Sequence, residues 1–350
     1  MIRDKENNII NIVDEPNGHI VISGRSGEGK TYAIKNLIID KIKQEKRIMV
    51  LDIFDSYLKG DFEEEFKEEL GNIEFQDLSS ENAYLLIDTK SADQYIDYLA
   101  DSLIDVLKIG NYNIKGLIKE CCNECYNTYR CISFGYLLDI IGEFVEATNC
   151  FSKDEIKELR KLQNIISEYK NISVMFAYSK DAIDWEEIEK NIVKCYIYQM
   201  SRYSMKERIV LVEIILSLLW RGIVEYRKSD TDYVVLDEFQ HISLKLGSPL
   251  ANILRMGRKK ELSVILGTQF ISSLPKKELN TIKQAGTAFY FRPTDNEITK
   301  IAKEIDYNNY KKWIRKLSSL NRGKAVMKGC YTVNENGIKW NSTIICKIEQ

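Results

Sequence analysis

Runs of apolar residues alternate along the chain with segments of helical periodicity, and their order predicts a layered α/β protein. Residues 19–24 and 47–53 ("RIMVLDI") read as buried strands around a helix from about 30 to 45, a βαβ unit. "NIEFQDL" at 72–78 reads as a third strand, after an acidic stretch at 61–69 that suits an exposed helix face. From about 90 to 190 the pattern turns mainly helical. "SADQYIDYLADSLIDVL" and "SKDEIKELRKLQNIISEY" both carry apolar residues at helical spacing. Strand signals return at 193–201, and Ser204 and Glu207 stand at capping-box spacing before a long amphipathic helix to about Arg227. Two more apolar strands follow, "YVVL" at 233–236 and "LSVILGTQ" at 262–269. With 350 residues and only four prolines, no repeat and no low-complexity linker, the chain reads as one large α/β core interrupted by a helical excursion. The expected segments are 1–90 and 191–350 for the core and 91–190 for the insertion.

The turn after the first strand carries the chemistry. In "HIVISGRSGEGKTYAIK", Gly24, four residues, then Gly29, Lys30 and Thr31 fit a phosphate-binding loop, with a strand before and a helix after it. Glycines at 24, 27 and 29 let the N–H groups of Arg25, Ser26, Gly27, Glu28 and Gly29 turn inward as an anion nest at a helix N-terminus. Lys30 would reach the β- and γ-phosphates of ATP, and Thr31 would be one ligand of Mg²⁺. The Glu28 side chain is expected to face solvent. At the end of the "YVVL" strand stand Asp237, which can hold Mg²⁺ through its water shell, and Glu238, which can polarise an attacking water. The "LSVILGTQ" strand delivers Thr268 and Gln269 to the same sheet edge, where the glutamine can bond the γ-phosphate or the water.

Charge and cysteine content narrow the remaining classes. Fifty Lys and Arg against 52 Asp and Glu give a net charge of −2, and the pI is near 6.0, so any DNA contact must be local. The candidate runs are "SLPKKELNTIK" with Lys276, Lys277 and Lys283, and "NNYKKWIRK" with Lys311, Lys312, Arg315 and Lys316. Each reads equally as a solvated basic helix face. The longest apolar stretch, Ile209 to Trp220, contains Glu213 and is shorter than the roughly 20 residues of a membrane span. The N-terminus has no apolar signal core, so a cytoplasmic protein is expected. Cys121, Cys122, Cys125 and Cys131 include one C-x-x-C with no second pair, which reads as buried thiols and not as a metal site.

Taken together, "NGHIVISGRSGEGKT", "YVVLDEFQHI" and "GRKKELSVILGTQFISSL" resemble, in this order, the HerA/FtsK superfamily of P-loop motor ATPases. The resemblance covers about 17–60 and 190–330, including "LSSLNRGKAVMKG", where such proteins often end with a strand-turn-strand. It implies a RecA-like, mostly parallel sheet flanked by helices, a ring hexamer with nucleotide at subunit interfaces, and translocation of double-stranded DNA. With the phosphate loop beginning at residue 24, the N-terminal barrel of the HerA branch is expected to be missing, as are FtsK's membrane spans and winged-helix domain. The resemblance also places a basic triplet where "GRK" stands, eleven residues before Gln269. Arg258, with Arg255 as the alternative, would then reach a neighbouring subunit's γ-phosphate, unless it pairs with an acidic surface residue. The expected function is an ATP-hydrolysing motor on double-stranded DNA. The alternatives are a conjugation or secretion ATPase, or a nucleotide-gated scaffold assembling with a nuclease or other effector.

Overall fold

The structure, a computed structural model, describes the chain except residues 111, 148, 182–192, 227–230, 272–273, 335 and 349–350. Its strands are β1 (Ile2–Arg3), β2 (Ile10–Ile12), β3 (Ile20–Ser23), β4 (Ile48–Asp52), β5 (Ile73–Asp77), β6 (Tyr84–Ile87), β7 (Cys131–Ile132), β8 (Met175–Tyr178), β9 (Cys195–Gln199), β10 (Tyr233–Leu236), β11 (Ser263–Thr268), β12 (Thr287–Tyr290), β13 (Lys324–Val333) and β14 (Lys339–Ile348). The chain divides into two compact units.

The first unit comprises Met1–Phe75, Val193–Ile197 and Lys228–Gln350. Among the described residues its sheet has the order β1-β14-β13-β12-β3-β11-β10-β4-β9-β5, with β2 on β13. The centre is parallel: β3 pairs with β11 and β12, and β10 with β11 and β4. The hairpin β13–β14 adds an antiparallel wing, which β1 and β2 extend. Every residue of β3 and β10 is buried, because helices cover both faces of a parallel sheet and an alternating pattern would leave polar side chains inside. β3, α1 and β4 form the predicted βαβ unit, with β11 and β10 lying between its two parallel strands, so the connecting helix crosses two strands. The β10 and β11 segments are as apolar as β3 and insert between the halves of that unit.

Helix α1 (Lys30–Lys43) begins at Gly29, which has a left-handed conformation. Ile34, Leu37, Ile38 and Ile42 bury its apolar stripe in the core, each contributing about 1.5–3 kcal/mol relative to exposure. Lys41 in the last turn is wholly buried, yet its Nζ lies 2.6 Å from Asp14 Oδ1 and 5.1 Å from the centre of the Tyr233 ring.

The second unit comprises Gln76–Ile192 and Tyr198–Arg227. Among the described residues its helices are α3 (Ala92–Val106), α4 (Tyr112–Tyr129), α5 (Phe134–Glu146), α6 (Lys153–Ser167) and α7 (Met205–Tyr226), α2 (Lys59–Glu65) belonging to the first unit. The expected end of α7 at Arg227 lies outside the described residues. Serine caps set several starts: Ser91, Ser133 and Ser152 each accept a backbone N–H of the first turn, and Ser152–Glu155 forms the full reciprocal box. Ser204 and Glu207 bond each other's backbone N–H in the same way. The helical reading missed a three-stranded sheet, β6-β8-β7, built from segments of two to four residues that periodicity cannot resolve. Cys121, Cys122 and Cys125 are fully buried on α4, and burial pushes the Cys121 and Cys125 thiols up to about 12. These thiols pack as small apolar groups. Among the described residues no helix is long and apolar enough to cross a membrane.

Candidate functional site

The loop from Gly24 to Thr31 joins β3 to α1 inside the first unit. Its backbone takes positive φ at Gly24, Gly27 and Gly29 (150°, 79° and 104°), which turns successive N–H groups to one side. Neighbouring strands brace it. Phe291 N–H donates to Ser23 O at 2.8 Å, Arg25 N–H to Arg292 O at 3.1 Å, and Gly323 N–H to Glu28 O at 3.0 Å. At Gly24 a Cβ would stand 2.6 Å from that of Phe291, so no larger residue fits there.

Glu28 departs from expectation. Its side chain is buried and lies 2.5 Å from Arg25 Nε. The guanidinium gives the carboxylate a partner within the loop, so the charge that was expected to escape to solvent is neutralised in place. Lys30 is also buried, with Nζ donating to Arg25 O at 3.2 Å. Burial pulls its pKa down, opposed by the charges of Glu238, Asp237 and Glu28. The carboxylates keep this buried ammonium charged, and a charged ammonium beside the loop's N–H groups can attract phosphate oxygens.

Strand β10 ends at Leu236 and delivers Asp237 directly against this loop. Its Oδ2 accepts the Thr31 hydroxyl at 2.8 Å, with the Tyr57 hydroxyl 3.4 Å away, and its Oδ1 accepts the Glu238 N–H at 3.0 Å. Burial raises the Asp237 pKa and the Glu238 charge adds to this, while the Thr31 hydrogen bond and Lys30 oppose it. Two residues that the sequence did not single out make this placement possible. Asp52, at the end of β4, accepts the N–H groups of Ser56 and Tyr57 and so folds Tyr57 onto Asp237. At Gly267 on β11 a Cβ would fall 2.2 Å from Asp237 Oδ1 and 2.8 Å from Ile34 Cδ1. Only glycine leaves room for the carboxylate.

Glu238 sits in a left-handed backbone conformation, φ 53°. Gln269 Nε2 donates to its Oε1 and Gln240 Nε2 to its Oε2, each at 2.7 Å. Thr268 Oγ1 is 2.7 Å from Gln240 Oε1. Gln240 was legible only as a polar residue within "LDEFQHI", a signal too common to single it out. Arg255 lies on α8 (Pro249–Met256) and Arg258 on the 3-10 turn Gly257–Lys260 that continues it; both are exposed. Among the described residues neither is bonded to the network of the loop, Asp237 and Glu238. The structure thus brings together the phosphate loop, both carboxylates and Gln269, and leaves the two arginines at the surface.

A nucleotide and a divalent cation fit these residues. The nest offers N–H groups and one buried ammonium to a phosphate chain, and the Thr31 hydroxyl and Asp237 carboxylate, already 2.8 Å apart, are hard oxygen donors suited to Mg²⁺.

No protein-family model matches this sequence, and no curated protein matches it. Solved structures do resemble it. VirB4 of Thermoanaerobacter pseudethanolicus superposes with a TM-score of 0.65 at 13% identity, over 99% of this chain and 95% of its own. The bacterial conjugative coupling protein TrwBdeltaN70, in a sulphate complex, gives 0.62 at 15% identity over 95% and 85%. The plasmid coupling protein TrwB with ADP and Mg²⁺ gives 0.61 at 15% identity over 95% and 86%. The chain therefore shares its fold with VirB4 and with the coupling protein TrwB. Within this RecA-like fold the loop and the carboxylates occupy the carboxyl edge of the parallel strands, the edge where open α/β sheets bind their ligands.

Proposed function

We propose that this protein is an ATP-hydrolysing motor that works as a ring, with six subunits as the expected number, and moves double-stranded DNA. The observation that carries this reading is the closed contact of the phosphate loop with the β10 carboxylates. Thr31 is bonded to Asp237, and Glu238 is held by Gln269, the glutamine of the neighbouring strand. A loop that only stored nucleotide would need no carboxylate fixed by the Gln269 amide beside it. The ATPase core is assigned to 1–90 and 191–350, with 91–190 inserted.

In the proposed mechanism the loop N–H groups and Lys30 bind and neutralise the β- and γ-phosphates. Thr31 and Asp237 would hold Mg²⁺, which would supply charge neutralisation at the phosphates. Glu238 accepts a proton from, or orients, the attacking water, and Gln269 fixes the Glu238 carboxylate. Arg258, exposed beyond α8, is proposed to reach the γ-phosphate site of an adjacent subunit, with Arg255 as its alternative. Similarity to conjugative and plasmid coupling proteins over nearly the whole chain supports a second reading, an ATPase serving conjugation or secretion. The two readings share this chemistry and differ in the polymer moved.

Glu238→Gln tests the site. The variant should bind ATP within about twofold of the parent and lose turnover by at least a hundredfold, as the amide keeps shape but cannot act as a base. Lys30→Ala should lose both binding and turnover. Normal hydrolysis by Glu238→Gln would place water activation elsewhere.

A further inference from the structure

Gln240 has no part in the mechanism just described, yet its amide bridges the carboxylate of Glu238 and the hydroxyl of Thr268. Donor and acceptor chemistry fixes its direction. A carboxylate only accepts, so Glu238 Oε2 takes the Nε2 hydrogen at 2.7 Å and Gln240 Oε1 is left facing Thr268 Oγ1, also at 2.7 Å. The threonine hydroxyl must then donate to Oε1, while its own oxygen accepts the Phe270 N–H at 3.2 Å. The chain of hydrogen bonds therefore runs one way: Phe270 backbone, Thr268, Gln240, Glu238. Thr268 is completely buried, so water does not compete for its hydroxyl.

The end of β11 consequently reaches both carboxylate oxygens of Glu238. Gln269 donates directly to one, and the preceding residue, Thr268, acts on the other through Gln240. Glu238 itself belongs to no regular element. Its backbone is left-handed and its N–H is taken by Asp237, so the two amides determine where its carboxylate points.

We propose that Gln240 is a positioning residue for hydrolysis, fixing the plane of the Glu238 carboxylate under the control of the Thr268 hydroxyl. This rests on Glu238 being the base. A base misdirected by about 1 Å loses on the order of a hundredfold in rate, so the link from β11 can govern whether Glu238 is competent without touching nucleotide. It also makes Gln269 and Gln240 respond together to any displacement of the β11 end, because Thr268 and Gln269 are adjacent.

Four variants test this: Gln240→Leu, Thr268→Val, the two combined, and Thr268→Ser. Each single loss, Gln240→Leu or Thr268→Val, should lower kcat at least tenfold, with affinity for a fluorescent ADP analogue within twofold and the melting temperature nearly unchanged. The double variant should be no slower than the slower single, because both changes break one chain. Thr268→Ser, which keeps the hydroxyl, should keep kcat. The proposal is overturned by normal kcat in Gln240→Leu, by multiplied losses in the double variant, or by Thr268→Ser falling as far as Thr268→Val. Glu238→Gln measured alongside separates the two levels. An inactive Glu238→Gln beside an unimpaired Gln240→Leu removes only the role of Gln240, whereas a fully active Glu238→Gln removes the base assignment and this inference with it.

Discussion

Single residues at this site are constrained by space and by burial more than by charge alone. Gly267 faces the Asp237 carboxylate so closely that an added methyl would overlap it, at 2.2 Å, and would also meet Ile34. Gly267→Ala should therefore displace Asp237 from Thr31 and raise the Mg²⁺ concentration needed for half-maximal ATPase activity at least tenfold; an unchanged Mg²⁺ requirement would show that the carboxylate has another place to go. His19, just before β3, illustrates burial at a titrating group. Its Nδ1 accepts the Val264 N–H at 3.1 Å, and burial lowers its pKa to about 4, against opposition from the backbone of Leu254 and Ile253. The unfolded chain, with a histidine near 6.5, takes up a proton that the folded chain refuses. Stability is thus lost as pH falls from about 6.5 towards 4, by about 2–3 kcal/mol at the acid end. His19→Asn should remove this component, seen as a flatter dependence of the urea midpoint on pH between 7 and 4.5. At this scale the sequence made the glycine loop, Asp237, Glu238 and Gln269 legible, because each stands at a strand end in a recognisable spacing. Tyr57, Gly267 and Gln240 were not legible, since their importance comes from contacts between elements far apart in the chain. Glu28 was misread because its partner, Arg25, lies inside the same loop.

Elements were legible where they are long or strongly apolar. β3, β10 and β11 are buried on both faces and announce themselves as continuous apolar runs, and the Ser-capped helices announce themselves by cap and periodicity. The order of strands in space was not legible, since nothing in β3 or β4 says that β11 and β10 will lie between them. The β6-β8-β7 sheet was missed for its brevity. Helix α1 carries a further dependence. Lys41 is wholly buried at its C-terminal end, and Asp14, from the segment after β2, supplies its charge partner at 2.6 Å. Asp14→Ala should destabilise the protein by about 3 kcal/mol, the cost of leaving a buried ammonium unpaired. The double change Asp14→Ala with Lys41→Met should recover much of that loss. A single variant with an unshifted denaturation midpoint would mean that Gln44, whose Oε1 is 3.2 Å from the same ammonium, suffices.

At the scale of the whole molecule, the proposed ring motor requires subunits that act on one another. Arg258 is exposed beyond α8 and outside its own chain's site network, as an arginine supplied in trans must be. Arg258→Ala subunits retain Glu238 and should be inactive alone; mixed with Glu238→Gln subunits, which retain the arginine, they should recover partial ATPase activity. Mixed assemblies as inactive as either variant would exclude Arg258 from that role. The net charge of −2 gives no general attraction for DNA, so the proposed DNA binding would depend on local groups. The helix Tyr310–Ser318, with Lys312 and Arg315 exposed and Lys316 4.1 Å from the centre of the Trp313 ring, is one such place. In the proposed motor, nucleotide turnover drives movement along double-stranded DNA. The most direct measurement is the ATPase rate of the purified protein with and without long linear double-stranded DNA, at low and at raised salt. A DNA-driven motor should show at least a tenfold stimulation that raised salt abolishes and that Glu238→Gln lacks. A rate that double-stranded DNA leaves unchanged at low salt, in a protein that hydrolyses ATP through Glu238, would contradict it.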